Sequence, residues 1–143
     1  MGVIIAIISG LLMSVQGVWN TEVTKTTGMW VCNSFVQLTA FLTALVMWYV
    51  TDHQSFMRLG QVTPRYFLLG GLIGTGITYT VVKSMEYLGP AKAVILIVVA
   101  QTVVAYAIEL WGLFGVEKSS FEIKKFIGLC LCLTGIILFK QNH

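Results

Sequence analysis

The stretch "AKAVILIVVAQTVVAYAIELWG", Ala91 to Gly112, decides what kind of molecule this is. Between Ala93 and Ile108 it carries no charge, and its apolar residues run on without the alternation of a half-buried strand. Its length matches the roughly 20 residues that a helix needs to cross a hydrocarbon core about 30 Å thick. Then Glu109 appears before the apolar run has ended. A carboxylate beside hydrocarbon costs about 3 kcal/mol unless it pairs, faces water or reaches the headgroups.

The rest of the chain has the same solvent. Of 143 residues, 57% are hydrophobic and 10% are charged, against roughly a quarter charged in soluble domains. Mean hydropathy is +0.85. Lipid-exposed backbone must be helix or closed barrel, and unbroken apolar runs select helices. The expected fold is an all-α integral membrane protein, one domain over residues 1–143 with five transmembrane helices. The spans are expected near Val3–Trp19, Gly28–Val50, Tyr66–Val82 with a polar extension to Leu88, Ala91–Phe114 and Phe121–Phe139.

The joints carry start and stop signals. "TPR" at Thr63–Arg65 offers an N-cap with proline at the first helical position. "LGP" at Leu88–Pro90 ends one helix on glycine and starts the next on proline. "SSFE" at Ser119–Glu122 has capping-box spacing, and Lys124 and Lys125 follow at the membrane edge. Trp19, Trp30, Trp48, Tyr49, Tyr66, Tyr87, Trp111 and Phe114 fall near span ends, as an aromatic belt does. The amino terminus lacks a basic leader and a small-residue cleavage site, so a retained first helix is expected. Ala6, where myristoylation wants a hydroxyl, argues against that lipid anchor.

Soluble-type chemistry is scarce. Cys32, Cys130 and Cys132 form no CxxC pair and have no histidine nearby; His53 lies in a loop and His143 is the last residue. Zinc spacing is not met, and the cysteines read as small packing residues. No glycine-rich loop follows a strand, and no histidine pairs with a serine or cysteine at a plausible depth. No cofactor, metal or enzymatic activity is expected. The net charge of +3 is spread over loops and makes no nucleic-acid face.

Charge placement leaves orientation open. With five spans, one side collects Arg58, Arg65, Lys118, Lys124 and Lys125, and the other Lys25, Lys83, Lys92 and Lys140. So small a bias gives no firm positive-inside signal. Insertion one way and insertion both ways stand equal, and the second would make both inverted repeats of a transporter from one chain.

The polar residues within the spans fall in stripes. Ser9, Gln16 and Asn20 share a face of the first helix, and Asn33 and Gln37 are four apart on the second. Gln101, Thr102 and Glu109 lie on the fourth. Gly70 and Gly74 on the third, and Gly128, Cys132 and Gly135 on the fifth, are small stripes expected to let helices approach closely. Two readings of the four amides stand: hydrogen-bonding glue between helices, or the lining of a polar cavity. Glu109 lies about 20° from Thr102, about 60° from Tyr106 and about 80° from Gln101 on a helical wheel. It either snorkels to the headgroups or faces a cavity as a proton carrier. Glu22, with Lys25 three residues on, is the rival acid.

"SVQGVWN" (Ser14–Asn20), "GMWVCNSF" (Gly28–Phe35), "LGPAKAVILIVVAQ" (Leu88–Gln101) and "LFGVEKSSFEIKKFIGLCLCLTGIIL" (Leu113–Leu138) together resemble the single-domain, five-helix YdcZ-like family of the drug/metabolite transporter superfamily. The last segment also resembles the second half of the larger EamA-type members. Many relatives carry an aspartate-type acid in the fourth helix, where this chain has Glu109. The resemblance implies a multi-pass protein of the bacterial inner (plasma) membrane, exporting a small molecule as a ten-helix antiparallel dimer. It names no substrate. A cationic amphiphile or a metabolite is expected, bound by Gln16, Asn20, Trp19, Asn33, Gln37 and Gln101, with Glu109 or Glu22 taking the coupling ion. The alternative is a non-transporting membrane subunit that pairs with a paralogous transporter.

Overall fold

Long helices follow from the apolar runs, and a computed structural model describes residues 1–140. The helices are α1 (Gly2–Thr27), α2 (Met29–Met47), α3 (Gly70–Leu88), α4 (Pro90–Trp111) and α5 (Ile123–Lys140). Among the described residues, four stretches are long and apolar enough to cross a membrane: Gly2–Thr27, Met29–Asp52, Arg65–Leu88 and Pro90–Trp111. α5 covers the region expected for the fifth span. The side chain of Lys140 and all of His143, both named above, lie outside the described residues.

α1 runs eight residues beyond the expected Trp19. The extension "TEVTKTT" is polar yet helical because its hydroxyls bond back to their own helix. Thr21, Thr24 and Thr27 each donate to the carbonyl four residues earlier, at 2.8, 2.8 and 2.9 Å. Lys25 also closes on Glu22 at 2.6 Å. Asn20 and Trp19 therefore sit inside the helix rather than at its end.

One glycine separates α1 from α2, and another separates α3 from α4. Gly28 (φ 83, ψ 158) and Gly89 (φ 77, ψ 158) take nearly the same backbone conformation, one that is essentially glycine's own. Pro90 then opens α4 as the sequence implies.

Two joints differ from expectation. Pro64 precedes a 3₁₀ turn over Arg65–Leu69, and α3 starts only at Gly70, a tightening common at helix starts. The Ser119–Glu122 capping box does not form. The backbone N–H of Ser119 instead donates to the Glu109 carbonyl at 2.9 Å, while its hydroxyl is buried without a partner. The loop after α4 turns at Gly112 (φ 64) and folds back on that helix end, which takes Ser119 away from the start of α5.

The chain divides into two compact units, Met1–Tyr87 and a second beginning at Leu88. Little is buried in either. In the first, Gly17, Thr21 and Thr24 of α1, Cys32 and Asn33 of α2, and Val82 and Met85 of α3 are shielded. Most large apolar side chains are exposed on the single chain, as lipid or a second helical subunit would require.

Candidate functional site

Two polar constellations lie within the helices, one in each unit. The first is a seam along α1, α2 and α3. Helices gain nothing from hydrophobic burial against one another in lipid, so close packing and hydrogen bonds must join them. Gly17 supplies the close approach: a Cβ there would stand 2.5 Å from Met85 Cε and 3.0 Å from its Sδ. Thr21 reaches the same sulfur at 3.8 Å. Cys32, buried, donates to the Asn20 carbonyl at 3.4 Å.

Asn33, only 1% exposed, donates from Nδ2 to the Thr75 carbonyl of α3 at 3.0 Å. Its Oδ1 is buried without a partner. Gln37 is half-buried one turn on, and its Nε2 is the nearest side-chain atom to a Cβ built at Gly74, at 3.8 Å. Asn20 is half-buried, whereas Gln16 is exposed and Trp19 is 69% exposed. The seam thus gathers Asn33 and Gln37 beside α3 and leaves Gln16 and Trp19 on the outer face of the single chain. Glu22 lies on the exposed face of α1, closed on Lys25.

The second constellation is a cleft of about 350 Å³ between α4 and α5. Thr102, Tyr106 and Glu109 line it from α4, and Lys125, Gly128 and Cys132 from α5. The stripe drawn on the helical wheel is therefore one wall of a cleft, and Gln101, at the stripe's edge, is exposed and outside the lining. The Oε2 of Glu109 lies 3.8 Å from Lys125 Nζ, which is also 3.4 Å from Glu122 Oε1. The Tyr106 hydroxyl is buried and without a partner. Thr102 satisfies its hydroxyl on its own helix, at 2.8 Å from the Val98 carbonyl.

Three features were not legible in the sequence. Gly17 lies inside SVQGVWN with nothing in the sequence to mark its contact, while a Cβ built at Gly70, Gly128 or Gly135 meets nothing within 4 Å on the single chain. Lys125 as the partner of Glu109 depends on the folded-back loop. Trp30 stacks on Tyr79 with ring centroids 5.4 Å apart, where the sequence implied only an interfacial anchor.

No curated protein and no solved structure matches the chain. Over residues 1–138 it matches the family described as "Putative inner membrane exporter, YdcZ". Nearly the whole of the helical chain is covered, so the polar seam and the cleft both lie within the matched region. This multi-pass membrane protein belongs to the YdcZ family of drug/metabolite-type transporters.

Proposed function

We propose that the chain is a small-molecule exporter subunit: one transmembrane domain of five helices, working by alternating access in a ten-helix antiparallel homodimer. Membership of an exporter family over residues 1–138 is the observation that carries it. The near balance of charge between the two sides supports insertion in both orientations, which a dimer of inverted copies needs. Gln16, Trp19 and Gln101, exposed on the single chain, are placed by this reading on surfaces that a second copy or substrate covers. Asn20, Asn33 and Gln37 line the substrate path from the α1–α2 side. Glu109 carries the coupling proton in this reading, with Glu22 the rival.

Reconstitution of the purified protein alone into liposomes tests it. Movement of a candidate substrate driven by a proton gradient, uncoupled from that gradient in Glu109→Gln, is the expected result. Failure to move any of a broad set of cationic and neutral solutes would reject autonomous transport. It would favour the subunit that pairs with a paralogue.

A further inference from the structure

The cleft between α4 and α5 holds more charge than packing requires. A direct N–H···O bond closes to about 2.7–3.2 Å. Lys25 and Glu22 reach 2.6 Å, and Lys83 and Glu86 reach 2.7 Å. Lys125 is different: at 3.4 Å from Glu122 and 3.8 Å from Glu109, it is committed to neither. Two carboxylates therefore share one ammonium. Glu109 and Lys125 both line the cleft, while Glu122 and the neighbouring Lys124 do not.

The lining changes with depth. Thr102 on α4 and Cys132 on α5 lie seven residues from Glu109 and Lys125, about 10 Å along each helix. Ala105, Gly128 and Leu129 make the wall between these ends small or apolar. Charge therefore sits at one end, and small or apolar residues separate it from Thr102 and Cys132 at the other. Between them is Tyr106, whose buried hydroxyl lacks a partner and can accept an N–H.

We propose that this cleft binds a protonated amine with a compact apolar body, and that Lys125 is its built-in competitor. The ligand ammonium takes Glu109 and the Tyr106 oxygen, its apolar part lies along Leu129, and Lys125 withdraws to Glu122. The empty site thereby keeps a counter-ion beside Glu109, and only a cation able to displace a tethered lysine enters. The proposal rests on the transport reading above and gives it a substrate class.

The test uses the full chain in nanodiscs of zwitterionic lipid, titrated calorimetrically with 2-phenylethylammonium and with neutral 2-phenylethanol. The amine binds and the alcohol does not, and Glu109→Gln weakens the amine by about tenfold or more. Lys125→Met tightens it about fivefold, because the competitor is gone. Glu122→Gln weakens it about threefold, because Lys125 then turns wholly to Glu109. Equal binding of the alcohol, or a Lys125→Met protein that binds no tighter, overturns the proposal. Binding is read here without transport, so the two readings fail separately. Liposomes that move another solute while no amine binds remove this site and leave the exporter standing. The predicted order of affinities in a protein that moves nothing does the reverse.

Discussion

The α1–α3 seam and the α4–α5 cleft are built from similar residue types and treat them in opposite ways. In the seam polar groups are closed: threonine hydroxyls bond back to their own helix, Asn33 crosses to the Thr75 carbonyl, and Gly17 is filled by Met85. In the cleft Thr102 is closed in the same way, but the groups nearer the loop are open. Tyr106 has an orphan hydroxyl, Lys125 is shared between two acids, and Gly128 faces free space. In lipid an unsatisfied polar group has no water to fall back on, so closure marks a structural joint and openness marks a place for a ligand or for water. Asn33 stands between the two cases, with one amide atom bonded and the other not.

The largest effect is expected where the seam is tightest. Gly17→Leu drives a branched side chain into the space held by Met85 and Val81. Overpacking of this kind costs about 1–3 kcal/mol, and here it also parts α1 from α3. A fall in the thermal midpoint of the purified protein, relieved in part by Met85→Ala, is the expected result. An unchanged midpoint would mean that the close approach holds nothing together. Asn33→Leu comes next. As glue, Asn33 is worth about 0.6 kcal/mol, and its loss leaves liposome transport in place. If its unpaired Oδ1 instead meets substrate, transport falls while the thermal midpoint hardly moves. The ratio of the two effects tells on which side of the comparison Asn33 belongs.

How much of this was legible follows from what each feature depends on. Helix type and the positions of α2, α4 and α5 follow from apolar run length, which is local. The Gly89–Pro90 joint follows from two residues whose backbone preferences leave little choice. α1 was read short because its polar end has no apolar run, and the back-bonding of its threonines is a helix-interior option that composition does not announce. The wall Thr102–Tyr106–Glu109 was legible because it needs only 100° per residue. Its opposite wall was not. Lys125 reaches Glu109 because the loop after Gly112 folds back, with Ser119 donating to the Glu109 carbonyl, and sequence spacing across a loop fixes no such register. The glycine stripes are a similar case: small residues permit a close approach, and only the partner helix decides where one occurs, as Gln37 does at Gly74.

The smallest effect should come from Glu22, and it bears on the choice of proton carrier. Glu22 and Glu109 are both acids near helix ends, yet Glu22 is closed on Lys25 at 2.6 Å and both side chains are more than 60% exposed. Glu109 is 46% exposed, lies 3.8 Å from a shared lysine and lines a cleft. An exposed pair one turn apart is worth about 0.3–0.5 kcal/mol, so Glu22→Gln should scarcely change stability. Its carboxylate is exposed and held by Lys25, so proton-driven transport by Glu22→Gln is expected to keep the pH profile of the parent. Glu109→Gln, which keeps the shape of the side chain and removes its titration, should flatten that profile. Measuring both variants in one set of liposomes decides between the acids. A flat profile for Glu22→Gln beside a normal one for Glu109→Gln would move the proton to α1. The open cleft would then be left to bind its cation without coupling it.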